Sequence, residues 1–264
     1  MSTTIFTGCS YTSGIGFDGE QNDPKLWTNI FHENNRYLRN TVCVNLGARG
    51  AANEHIFNVS INALLDHKPA YAFVEWTDYP RYTVLLGLET YNSTQTFTPN
   101  NRLYDHQLHT INYSAQYLEK VRNRFLALHH PHQGIYNIVK YINTLINIAK
   151  ITDTKIFFIN GLCEWDKDYF TCLENVLPNM YTPYTQKILD VVTRNDQEIS
   201  KLYNNIHLEY QQAGGIHENH WLNLYSSMQS MQIDTNDDNL HPGEQSNKNY
   251  AILFEQTLIE KLSS

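Results

Sequence analysis

Four short apolar runs limit what this chain can fold into more than any other feature: Thr4–Thr7 (TIFT), Thr41–Asn45 (TVCVN), Tyr71–Trp76 (YAFVEW) and Lys155–Ile159 (KIFFI), with a weaker fifth near Ile206–Tyr210. They are rich in β-branched and aromatic residues and do not alternate with polar ones, as expected of strands covered on both faces. Helical periods lie between and after them. AANEHIFNVSINALLDH places Ile56, Val59, Ala63 and Leu64 on one stripe, and IYNIVKYINTLINIAKI repeats apolar residues at i, i+3 and i+4 from Ile135 to Ile148. YTQKILDVVTRNDQEISKLY and NKNYAILFEQTLIEKL read as two more amphipathic helices. Strand–helix alternation predicts an α/β chain: a three-layer α/β/α sandwich around a mainly parallel, five-stranded sheet.

One segment breaks the rhythm. Residues 82–132, rich in Tyr, Asn, Thr and His, separate the third strand from its helix, and AQYLEKVRNRFLAL within them reads as helical. Connections this long are uncommon unless they cap a site or lie disordered, and the aromatic content favours a packed lid. The expected organisation is a single domain over 1–264 with a Tyr-rich insertion at about 82–132.

The net charge of −8, with no local Lys/Arg cluster to offset it, argues against nucleic-acid binding. The four cysteines (Cys9, Cys43, Cys163, Cys172) have no CxxC pairing and read as free thiols. No apolar run reaches membrane-spanning length, and the first strand begins too early to leave room for a signal peptide, so the expected compartment is cytoplasmic. The Asn92-Ser-Thr sequon is taken as chance.

The first strand stops at IFTGCSYTSGIGF, which admits three readings. Gly14, Gly16 and Gly19 spell GxGxxG, but they lie past the strand end, and EQNDPK follows where a dinucleotide fingerprint requires a helix. Cys9 could be a thiolate nucleophile, although nothing nearby in sequence would lower its pKa, and a small buried residue is the simpler reading. Ser10 finds partners at the far end of the chain, where DDNLHPGEQ offers Asp238 and His241 in a D-x-x-H-P turn ahead of a helix. That spacing can bring a carboxylate under an imidazole, which can then take a proton from a serine hydroxyl. HHPH (His129 to His132) and HENH (His217 to His220) lack the spacing of helical metal ligands and read as solvated loops, so no metal or cofactor is expected.

With these residues in view, the chain resembles the SGNH (GDSL-type) serine hydrolases, and among them the phage and bacterial members with a GCSxT first block. The G-D-S-x-x-x-G block is similar to Gly8-Cys9-Ser10-Tyr11-Thr12-Ser13-Gly14, with Cys in the Asp place. The N-x-G-x-x-G block looks like NLGARGAAN, with Gly50 as its glycine. D-x-x-H-P is carried by Asp238, His241 and Pro242. The third block, G-x-N-D, departs: here it is Glu75-Trp76-Thr77-Asp78, so Thr77 stands where the family has an asparagine amide. The resemblance implies a flavodoxin-like sandwich with Ser10 as nucleophile, His241 as base and Asp238 as its orienting carboxylate. It also implies an oxyanion hole from Ser10, Gly50 and Thr77. Asn53 either caps its helix, the stronger reading, or reaches the site, and Arg81 either meets an anionic part of the substrate or forms a surface ion pair. The implied substrate is a small-molecule or carbohydrate ester, for instance an O-acetyl group, cleaved through an acyl-serine. A non-catalytic binding module and an acyltransferase using the same triad are the alternatives.

Overall fold

The four stronger apolar runs form strands, each within a residue of its expected bounds. The structure, a computed structural model, describes residues 2–18, 20–78, 81–85, 94–97, 103–105, 116, 120, 131–162, 217–224, 226–236 and 238–263. The chain divides into two compact units, Met1–Glu164 with Glu218–Ser264, and Trp165–His217. Apart from His217, the second unit lies outside the described residues, and with it the expected helix at 184–203 and the expected strand at Ile206–Tyr210.

In the first unit, β1 (Thr3–Thr7), β2 (Val42–Asn45), β3 (Tyr71–Trp76) and β7 (Lys155–Asn160) form a parallel sheet in the order β2-β1-β3-β7. The sheet therefore has four strands among the described residues, against five expected. Beyond β7 its edge is taken up by the segment at Trp221, which bridges in parallel to Phe158. Asn223 holds it there, its Oδ1 accepting the Asn160 N–H at 2.8 Å while its own amide donates to the Asn160 carbonyl at 2.9 Å.

Strand order reverses at β1: the chain steps from β1 out to β2, then back across to β3. Right-handed crossovers must then put the two intervening helices on opposite faces. On one face α2 (Trp27–Asn34) packs on the C-terminal helix α5 (Glu244–Ser263); on the other α3 (Asn53–His67) packs on α4 (Pro131–Thr152). The three expected layers are all present. An aromatic cluster fills the first interface: Phe6 stacks on Phe73 at 5.1 Å and meets Trp27 edge-on at 5.5 Å, and Trp27 meets Phe254 at 5.3 Å. Such pairs add roughly 0.5–1.5 kcal/mol each beyond the area they bury. On the α3 face the expected stripe holds at Ile56, Ala63 and Leu64, with Ser60 buried beside them. The Ser60 hydroxyl is satisfied by Thr7 Oγ1 at 2.7 Å.

The insertion after β3 contains an antiparallel sheet of β4 (Tyr82–Leu85), β5 (Thr94–Phe97) and β6 (Leu103–Asp105). Its Tyr82↔Phe97 register marks a hairpin that the polar composition did not announce. Most of the expected helix at 115–128 lies outside the described residues. Among the described residues no helix is long and apolar enough to cross a membrane.

Candidate active site

In an open α/β sheet the crevice for a ligand opens outside the carboxyl ends of the strands, where their order reverses. Here that point lies between β1 and β3, and the turns following β1, β2 and β3 carry Ser10, Gly50 and Thr77.

β1 ends at Thr7, and after Gly8 and Cys9 the chain coils at once into α1 (Ser10–Ser13), a single turn. Cys9 is its N-cap, in extended conformation, and its carbonyl accepts the N–H groups of Thr12 and Ser13 at 3.1 and 3.0 Å. The first N–H groups of a helix, that of Ser10 among them, have no intrahelical partner. Gly14, left-handed at φ 79°, ends the turn. The indole of Trp27 donates to the Tyr11 carbonyl at 3.1 Å and ties the turn to the core.

The second half of the site is the loop before α5. Asp234 caps that helix, accepting the Ser246 and Gln245 N–H groups at 2.7 and 2.9 Å along with the Ser246 hydroxyl. Burial works to raise its carboxyl, but these donors prevail and hold it below the ordinary value. In the turn that follows, Asp238 Oδ1 accepts the N–H groups of Leu240 and His241 at 2.8 and 2.9 Å, and Oδ2 contacts His241 Nδ1. Asp238 shows the same balance: burial pushes upward, and the His241 backbone and imidazole, with the Leu240 N–H, hold the carboxyl below its ordinary value. The contact through Nδ1 fixes the imidazole orientation.

Long-range contacts made by two residues join the halves. Tyr11 donates its phenol to Gln232 Oε1 at 2.9 Å, and its ring meets the His241 ring edge-on at 6.0 Å. Asn236 donates to the Ile15 carbonyl at 2.7 Å, while its own N–H donates to the His241 carbonyl at 3.0 Å. Ser10, Tyr11, Gly50, Arg81, Asp238 and His241 all line one cleft of about 930 Å³. Its wall is mixed, with Ile15, Leu162 and Leu240 among Arg49, Asp78 and Gln229. Among the described residues the Ser10 hydroxyl meets only the Cys9 sulfur, at 3.9 Å, and makes no hydrogen bond to His241. Such bonds often tighten only when substrate is bound.

Cys9 is fully buried, and burial together with the nearby Glu75 charge pushes its thiol up to about 12, which disfavours a thiolate. Gly50 is left-handed at φ 64°, a conformation any L side chain would strain. Thr77 is 2% exposed, and its hydroxyl has no hydrogen-bond partner among the described residues. Asn53 does not cap α3: the N-cap is Ala52, without a side-chain cap bond. Both ends of the Asn53 amide go to the turn after β3, Oδ1 accepting the Thr77 N–H at 2.9 Å and Nδ2 donating to the Thr77 and Asp78 carbonyls at 3.3 Å each. His220 of the HENH run is hydrogen-bonded through Nδ1 to the Ile156 carbonyl at 2.8 Å. His129 and His130 of HHPH lie outside the described residues. No cluster of His, Cys, Asp and Glu suited to a metal ion occurs among the described residues.

Sequence reasoning missed Glu75, Tyr11, Gln232 and Asn236. A charged residue inside an otherwise apolar central strand was the available signal for Glu75. The other three carry no local signature.

No family model matches the chain, and no curated protein does. Among solved structures it is similar to a carbohydrate acetylesterase family member from Sinorhizobium meliloti, at 11% identity and TM-score 0.45 over 100% of both chains. It is also similar to a psychrotrophic esterase, EstA, from Pseudoalteromonas sp., at 9% identity and TM-score 0.46 over 100% of both chains. A lipase/acylhydrolase from Enterococcus faecalis matches at 11% identity and TM-score 0.43, over 98% of this chain and 95% of that one. At such identities and TM-scores these likenesses do not bear on the chemistry.

Proposed function

We propose that the chain is a serine ester hydrolase of the SGNH type. The reading is carried by one observation: Ser10, from the turn after β1, lines the same cleft as a His241 whose Nδ1 is held by Asp238. Ser10 Oγ attacks the ester carbonyl as its proton passes to His241 Nε2, and the Asp238 carboxylate stabilises the imidazolium. The oxyanion is met by the N–H groups of Ser10 and Gly50 and by the Thr77 hydroxyl. His241 returns the proton to the departing alcohol. Water, deprotonated by the same imidazole, then attacks the acyl-Ser10 carbonyl, releasing the carboxylic acid and restoring the serine.

The substrate proposed is a small acyl ester, with a carbohydrate O-acetyl group as the favoured example. The apolar residues Ile15, Leu162 and Leu240 suit a short acyl chain, and Arg49, Asp78, Arg81 and Gln229 suit a polar alcohol portion. The chain is read as one catalytic domain with a Tyr-rich insertion at about 82–132.

The test compares hydrolysis of p-nitrophenyl acetate and butyrate by the wild type and by Ser10→Ala, together with labelling by a fluorophosphonate. The expected result is turnover and covalent label on Ser10 in the wild type and neither in the variant. Equal hydrolysis by both proteins, with no label, sinks the reading.

A further inference from the structure

Beneath the nucleophile turn lies a carboxyl group that the acyl-transfer steps do not use. Glu75, in β3, is 0% exposed. Its Oε2 accepts the Cys9 N–H at 3.0 Å and the Thr12 hydroxyl at 2.6 Å, and its Oε1 accepts the Cys9 thiol at 2.9 Å. All three donors come from Cys9, one position before Ser10, and Thr12, two positions after it. The neighbouring strand ends close on the same group: a Cβ on Gly8 would lie 2.3 Å from Oε2, and one on Gly161 would lie 1.9 Å from Oε1. Only glycine at both places lets the backbones after β1 and β7 approach so closely. Burying a carboxyl is expensive unless its oxygens are satisfied, and here the satisfaction comes from the turn that carries the nucleophile.

We propose that Glu75 is a positioning residue for Ser10, holding the strand-to-helix turn from below at Cys9 and Thr12 so that the Ser10 hydroxyl and N–H face the cleft. The inference rests on the ester-hydrolase reading. The backbone N–H of Cys9 fixes the plane of the Gly8–Cys9 peptide, one residue ahead of Ser10. The Thr12 hydroxyl fixes the helical turn just after it. Released at both points, the turn keeps its helical bonds to the Cys9 carbonyl but loses its tilt relative to the sheet. A glutamine can reproduce the contacts, with its carbonyl oxygen toward the Cys9 N–H and Thr12 and its amide toward the Cys9 sulfur. A leucine cannot.

The test measures fluorophosphonate labelling of Ser10 and the kinetics of p-nitrophenyl acetate hydrolysis in the full chain, with thermal melting as the control for folding. The proteins are the wild type, Glu75→Gln, Glu75→Leu, Thr12→Val and Ser10→Ala. Glu75→Gln is expected within about 3-fold of wild type, because the acceptor geometry survives. Glu75→Leu is expected to label about 10- to 100-fold more slowly, with kcat lower by the same factor and KM within about 2-fold. Thr12→Val falls between them. A residue that only stabilised the fold would lower the melting temperature and leave labelling and kcat of the folded protein untouched; that result in a folded Glu75→Leu overturns the proposal. So does an equal loss in Glu75→Gln and Glu75→Leu. If Glu75→Leu does not fold, a folded Thr12→Val labelled at the wild-type rate overturns it. A wild type that takes no label and hydrolyses no faster than Ser10→Ala brings down the ester-hydrolase reading, and this inference with it.

Discussion

Asp238 grips His241 twice: one carboxylate oxygen contacts the imidazole Nδ1, and the other accepts the backbone N–H of the same residue at 2.9 Å. The side chains are 33% and 19% exposed respectively, so the ion pair itself contributes little to stability. In the proposed reaction its worth lies in fixing the tautomer. Asp238→Asn is therefore expected to lower kcat by about 10²- to 10⁴-fold while changing stability by less than about 1 kcal/mol. Steady-state kinetics beside a melting curve check both halves, and a loss under about 3-fold would remove Asp238 from the reaction. The pH sign follows from a carboxyl held below its ordinary value. Its contribution to stability is present above the unfolded value, about 3.9, and is lost as pH falls through the lower, folded one.

The Thr77 hydroxyl is buried with no hydrogen-bond partner among the described residues, which makes rate and stability move in opposite directions on substitution. Thr77→Val keeps the shape and deletes the donor. Stability is expected to hold or rise by about 1 kcal/mol, because an unsatisfied hydroxyl is replaced by a methyl group. The rate is expected to fall by about 10- to 100-fold, somewhat less than the loss of a side-chain amide donor elsewhere. An unchanged kcat in the folded variant takes Thr77 out of the oxyanion hole.

Asn53 bonds the turn after β3 through three hydrogen bonds, to the Thr77 N–H and to the Thr77 and Asp78 carbonyls. Asn53→Ala strands a buried N–H and is expected to destabilise by about 1–3 kcal/mol. Because the same turn presents Thr77, kcat should fall as well. Asn53→Asp separates the two effects, since a carboxylate still accepts from Thr77 N–H but cannot donate to the carbonyls. Denaturant unfolding together with kinetics on both variants provides the check; a stability loss without any change in kcat would make Asn53 purely structural.

Which of these residues were legible in the sequence follows from the range of their interactions. β3 was read to its exact bounds, Tyr71–Trp76, because a run of apolar residues reports burial on both faces. Asp238 and His241 were legible because three residues of spacing close a turn locally. Tyr11 with Gln232, and Asn236 with Ile15, each join residues 221 positions apart, and no local pattern encodes such pairs. Of the two readings of Asn53, helix cap or site residue, the cap was favoured because Asn is a preferred residue at a helix start, whereas tertiary contact with Thr77 claimed its amide. Glu75 was passed over as part of an apolar strand although its charge was the anomaly.

That anomaly supplies a prediction about pH. Burial raises the Glu75 carboxyl above its ordinary value, and the Cys9 thiol, the Thr12 hydroxyl, the Cys9 N–H and the Arg81 guanidinium pull it back only in part. The groups facing it are Cys9 and Thr12 from the turn that carries Ser10, Tyr11 and Tyr250 through their fields, Arg81 beyond β3, and the glycine backbones at 8 and 161. A carboxyl raised in the folded state favours folding while protonated. Its contribution is fully present below the unfolded value, about 4.3, and is lost as pH rises through the folded value. Glutamine carries no such proton. Glu75→Gln should therefore gain stability over the wild type as pH rises from 4 to 8, each kcal/mol reading as roughly 2–4 °C in melting temperature. The depressed carboxyls Asp234 and Asp238 are common to both proteins and cancel in the difference. A difference that stays flat across this range, or that favours the wild type increasingly toward pH 8, would mean the folded state prefers Glu75 charged.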